Sequence, residues 1–120
     1  MTATTIPFFF EQFLKEKKIP FQIQQSGNLT VYIIQRKIGH GKYADTTVTI
    51  GLPIPSDFEI NPPYGLHVKK VHNVVQGVTQ PAVSILGVEW EFWSRQVKNW
   101  NTATNKPQYY FDHVDRWLEL

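Results

Sequence analysis

Leu52-Pro53-Ile54-Pro55-Ser56-Asp57-Phe58, followed after a short gap by Asn61-Pro62-Pro63-Tyr64-Gly65, is the stretch that decides the fold. Pro53, Pro55, Pro62 and Pro63 each withhold a backbone donor, so the segment is not expected to run as a central strand throughout. It reads as the place where a sheet passes into a loop. The residues on either side support that reading, because their hydrophobic period changes across it.

Upstream the period is two. From Thr46 to Leu52, Val48, Ile50 and Leu52 face one way and threonines the other. Leu29-Thr30-Val31-Tyr32-Ile33-Ile34 is β-branched and aromatic, with Leu29, Val31 and Ile33 on one face. Phe21 and Ile23 alternate with glutamines ahead of the turn signal Ser26-Gly27-Asn28, and Gly39-His40-Gly41 marks a flexible connection. Before these strands the period is helical. Ile6, Phe9, Phe10, Phe13 and Leu14 form one apolar stripe, with Thr4 or Thr5 as cap, Pro7 in the first turn and Pro20 as the stop. Lys15, Lys17 and Lys18 lie near the C-terminal end of this helix, where cations complement its dipole.

Downstream, Leu66 to Val71 has the length of one short further strand, and Val74 to Val88, with Gly77, Pro81 and Gly87, reads as a long irregular segment. The last element is a helix: Pro107 sits in its first turn behind Asn105, and Tyr110, Phe111, Val114, Trp117 and Leu118 make its apolar face. A helix, an antiparallel β-meander, a proline-rich passage, an irregular segment and a C-terminal helix define an α+β fold. The expectation is a single domain over residues 1–120.

Composition narrows the function. The chain is 42% hydrophobic and 18% charged, with a net charge of +2, which gives a packed domain and no basic stripe for nucleic acid. No segment approaches the roughly 20 apolar residues that span a bilayer, and Ile6 to Phe10 is too short for a secretion signal, so the expected location is the cytoplasm, with no membrane partner. There is no cysteine, hence no disulfide, no thiolate nucleophile and no thiolate metal site.

Three local patterns carry a resemblance. Gly51-Leu52-Pro53 running into Asp57-Phe58 and Pro62-Pro63 is one; Trp90-Glu91-Phe92-Trp93-Ser94-Arg95 is the second; Trp100 followed by the helix from Tyr109 to Leu118 is the third. Together with the order of elements they resemble the ubiquitin-conjugating (E2/UBC, or UBC/RWD-like) superfamily, and within it the bacterial proteins called prokaryotic E2 family E. That resemblance implies a protein-conjugation setting, with a ubiquitin-like protein, an E1-like adenylating enzyme and a JAB-type isopeptidase as partners. It also implies a branch without the catalytic cysteine, and so an adaptor with no catalytic residue and no cofactor. An active conjugating enzyme from which the cysteine has been removed is the alternative. Ala82, aligned through Ser84-Ile85-Leu86, would then stand in the cysteine's place, with Gln80 nearly as good by spacing from Gly77.

His72-Asn73 lacks the proline of the His-Pro-Asn element of active E2 domains and reads as chance. Ser84 and Ser94 are the hydroxyl nucleophiles to consider, with His67, His72 and His113 as bases whose placement the sequence does not fix. His67 and His72 lack the further ligands a metal centre needs, so no metal is expected. Tryptophans beside Arg95 and Lys98 suggest base stacking as a third reading, single-stranded nucleic acid, but large aromatics are more often core. Partner-binding candidates are Trp93 and Arg95, where the guanidinium can stack on an indole, and Lys15, Lys17 and Lys18, since E1-type partners dock on the first helix in the E2 superfamily.

Overall fold

The structure, a computed structural model, describes residues 8–27, 29–58, 60–70 and 82–119. Elements run α1 (Phe8–Glu16), β1 (Gln22–Ser26), β2 (Leu29–Lys37), β3 (Thr47–Pro55), β4 (Leu66–Lys69), β5 (Ala82–Val83), β6 (Trp90–Trp93), a 3-10 turn (Trp100–Thr102) and α2 (Lys106–Leu118). Thr4, Thr5, Ile6, Pro7, His72, Asn73, Gly77 and Gln80 lie outside the described residues.

The strands form one antiparallel sheet in the order β1-β2-β3-β4-β6-β5. Its helix-covered face is the main core. Val48, Ile50, Leu52 and Ile54 of β3, Tyr32 and Ile34 of β2, and Leu66, Val68 and Trp93 pack there against Phe10, Phe13 and Leu14 of α1 and Tyr110, Phe111, Val114 and Leu118 of α2. Leu29, Val31 and Ile33 do share a face, as the alternation predicts, but it is the opposite one.

Helix ends follow local chemistry. α1 stops before Pro20, where Lys18 takes a left-handed φ of 59° and the Ile19 N–H reaches back to the Leu14 carbonyl at 3.0 Å. α2 starts as expected: Asn105 Oδ1 accepts from the Gln108 N–H at 3.3 Å, with proline in the first turn. The Arg36 guanidinium ties β2 to α2, donating two 2.8 Å bonds to Asp115 and lying 4.4 Å from the centre of the Phe111 ring.

Two expectations need correction. The proline stretch does not leave the sheet at Pro53; β3 continues to Pro55, with Val31 opposite Pro53 and Leu29 opposite Pro55. The ladder tolerates these prolines because β4 is registered only with Ile50 and Gly51, so beyond Gly51 the strand has, among the described residues, a neighbour on one side. The segment from Val74 to Val88 is not irregular throughout: Ala82–Val83 forms β5 against β6.

Candidate functional site

The outer face of the sheet, away from both helices, holds the site. Gly51, His67 and Phe92 fall in register across β3, β4 and β6, Pro53 lies two residues along β3 on the same face, and the chain from Ser84 to Leu86 folds over Gly51 and His67. The missing Cβ of Gly51 makes room for this: a methyl there would come within 2.8 Å of Leu86 Cδ1, 3.1 Å of Val31 and 3.3 Å of His67. Beside the fold-over lies a groove of about 340 Å³ lined by Leu29, Pro53, Pro55, Pro62, Tyr64, His67, Ile85 and Phe92. Its rim is apolar and open to solvent, with Tyr64 and Ile85 each 51% exposed.

Among the described residues, His67 and Ser84 are the one pair of a candidate base and a candidate nucleophile that this face joins, at 2.8 Å between Nδ1 and Oγ, both groups buried. Ser84 Oγ already accepts the Leu86 N–H at 3.0 Å. Its hydrogen can donate to His67 Nδ1 when the imidazole proton sits on Nε2, and its second lone pair can accept from Nδ1–H in the other tautomer. Burial under the fold-over, with Phe92 packed 4.9 Å away, lowers His67 from its usual 6.5 to about 4. An imidazole held that far down is a poor general base at neutral pH, and the serine it faces is sealed from substrate. The pair works as a clasp that pins the Ser84–Leu86 segment to the sheet.

The proline and tryptophan patterns meet at Gly65. Its N–H donates to the Arg95 carbonyl at 2.8 Å, its carbonyl accepts the Tyr110 hydroxyl at 2.9 Å, and its φ of +69° is left-handed. A Cβ there would collide with the Trp93 carbonyl oxygen and meet the Phe92 ring at 2.9 and 3.1 Å. Pro63 is buried beside it, and Asp57 anchors the preceding turn, its carbonyl accepting the N–H groups of Ile60 and Asn61 at 2.8 and 2.9 Å. The motif residues thus knit the C-terminal helix, the proline passage and β6 into one crossing.

The sequence-predicted binding residues are dispersed. Trp93 is fully buried, its indole N–H donating to Glu91 at 2.8 Å, and offers no surface to a partner. Arg95 is half-buried, with its guanidinium 5.8 Å from the Trp93 ring centre and Nη1 bonded to the Ser94 carbonyl at 2.8 Å, while Ser94 itself is exposed. Trp90 is half-buried, with the Lys69 ammonium 5.7 Å above it. Trp100 is also core, against Phe58, so no tryptophan platform for stacking bases stands at the surface around Trp93. Lys15 pairs with Glu11 at 3.2 Å, Lys17 sits 5.7 Å from the Phe13 ring centre, and Lys17 and Lys18 are exposed. These lysines belong to the helix side of the sheet, away from the groove. The groove itself escaped sequence reading. Its one local signal is the glycine of Gly51, placed where alternation expects a side chain.

An α+β domain with a six-stranded sheet, helices on one face and an apolar groove on the other, closed over without a thiol, is an E2-like scaffold. The family model described as Prokaryotic E2 family E matches residues 8–120, and the chain belongs to that family. Among curated proteins and solved structures, no significant match to the chain is found. No helix among the described residues is long and apolar enough to cross a membrane.

Proposed function

We propose that this protein is a binding component of a ubiquitin-like conjugation pathway, an adaptor that engages a ubiquitin-like protein, an E1-like adenylating enzyme or both without carrying a thioester. One observation carries the reading: the chain contains no cysteine, and the hydroxyl that the fold brings over the sheet, Ser84, is buried and committed to His67 and Leu86. Thioester transfer needs a thiolate, and nothing in the sequence supplies one. The apolar, solvent-open groove between Tyr64 and Ile85 gives a partner a surface to bury instead, and the exposed lysines after α1 give a second.

Calorimetric titration with a ubiquitin-like protein and an E1-like adenylating enzyme from the same genome tests this, with a JAB-type isopeptidase as a further candidate partner. The expected affinity is that of a transient complex, roughly 1–100 μM. Ile85→Asp should weaken groove binding about tenfold or more while leaving the fold intact, because a charge is buried without a partner. No heat with any of these proteins at concentrations of roughly 100 μM would sink the proposal.

A further inference from the structure

Among the described residues the sheet has several open stretches of edge, and three of them carry a guard. Beyond Gly51 the uncovered side of β3 carries Pro53 and Pro55, which offer no N–H to an incoming strand. The part of β2 that runs past β1 carries Arg36 and Lys37. At the far side, β5 is only 2 residues long. β1 has none of these devices: Gln22-Ile23-Gln24-Gln25-Ser26 contains no proline and no charge, is almost wholly exposed, and among the described residues pairs only with β2. Ile23 remains 46% exposed on it.

The outward-facing groups can be assigned. A proline keeps its place in a ladder where its missing N–H is turned away from the neighbour, so Pro53 turns away from β2. The registers are unbroken, Val31 opposite Pro53 and Gln24 opposite Val31, so the alternation turns the Gln24 main chain toward β2. The N–H and C=O groups of Ile23 and Gln25 then point outward from the edge.

From these observations we infer that β1 is a homodimerisation edge, which pairs antiparallel with β1 of a second copy to make one continuous sheet. The occupant is a second copy because the strand is complementary to itself. Across a twofold axis at Gln24, Ile23 lies opposite Gln25 and Gln22 opposite Ser26, so the outward-turned groups meet and no charge faces a like charge. Each chain has one such edge, so the contact closes at a dimer and cannot propagate into a fibre. A strand of 5 residues buries far less than the standard interface of about 1,600 Å², so the dimer is weak and forms at high concentration. This inference does not depend on the function proposed above.

Sedimentation equilibrium on the full chain between roughly 20 μM and 1 mM is the test. The expected result is an average mass that climbs from monomer toward dimer across that range. Ile23→Lys should hold the monomer mass with an unchanged circular dichroism spectrum, since a lysine on the edge opposes strand pairing. Gln25→Lys should do the same from the other outward position, and Ile85→Lys, in the groove, should leave association unchanged. Any one of three results overturns the inference: a monomer at all concentrations, continued dimerisation of both edge variants, or loss of the dimer in Ile85→Lys.

Discussion

Replacing Gly65 by alanine isolates the crossing on which the proline and tryptophan motifs converge. At φ +69° any residue with a Cβ carries the left-handed penalty of about 1–2 kcal/mol. The added methyl also lands on the Trp93 carbonyl oxygen and against Phe92, and backbone is the neighbour least able to yield. Forced overpacking of this kind costs about 1–3 kcal/mol more. If the chain shifts to relieve it, the Tyr110 hydroxyl and the Arg95 carbonyl lose their bonds to Gly65, so the strain is exchanged for broken hydrogen bonds rather than removed. The sum is about 2–5 kcal/mol, a large share of the roughly 5–15 kcal/mol that holds an ordinary domain together. Urea unfolding followed by tryptophan fluorescence reads it directly, with an unchanged m-value reporting that the loss belongs to the native state. Tyr110→Phe, which removes one hydrogen bond and adds no clash, should cost only about 1–2 kcal/mol. A Gly65→Ala loss below about 1 kcal/mol, or one equal to that of Tyr110→Phe, would refute the account of the crossing.

Two further predictions concern the clasp and the strand–helix tie. His67 is neutral in the folded chain and titrates near 4 instead of 6.5, so the unfolded state binds the extra proton between those values. Its contribution is fully present above about pH 6.5 and declines as the pH falls toward 4; a pH series of urea midpoints should show that slope, and His67→Gln should flatten it. For Arg36 and Asp115, a double-mutant cycle to methionine and asparagine should give a coupling of about 1 kcal/mol, more than a single-contact surface pair because the geometry is bidentate and Phe111 supports the guanidinium; a coupling near zero in low salt would assign the tie no energetic role.

What sequence alone could reach follows from the range of the interactions. The stripe of Phe10, Phe13 and Leu14, the β3 face of Val48, Ile50 and Leu52, and the Asn105-Pro107 start of α2 are set by neighbours a few residues away, and each appears in the structure as periodicity and capping predict. Pro53 and Pro55 misled because a proline's cost depends on whether the strand has a second neighbour, and that is decided by how short the pairing with β4 is. Trp93 suggested a binding surface from its place beside Arg95, yet it fills the core, since β6 sits inside the sheet between β4 and β5. The His67–Ser84 clasp and the Arg36–Asp115 tie join residues 17 and 79 positions apart, and no local pattern encodes such partners.

The clasp also bears on why a cysteine-less chain would retain an E2-like frame. β5 places Ala82 opposite Phe92, which in turn lies opposite His67, so the backbone still brings the start of the fold-over segment to the outer face where the sheet could present a reactive group. The chemistry that remains there is directed inward: Ser84 satisfies a backbone N–H, His67 is held neutral, and Leu86 fills the space Gly51 leaves. A segment built to react would keep its nucleophile accessible and its base poised near neutrality. A segment built to hold a surface would bury its polar atoms in mutual hydrogen bonds and turn apolar side chains such as Ile85 to solvent, which is the arrangement this face has. On the adaptor reading proposed above, the frame is kept for the shape of its outer face. If the groove is the partner site proposed above, Ser84→Ala and His67→Gln, which open the clasp, should weaken partner binding in calorimetric titration, with Ser84 and His67 acting as positioning groups.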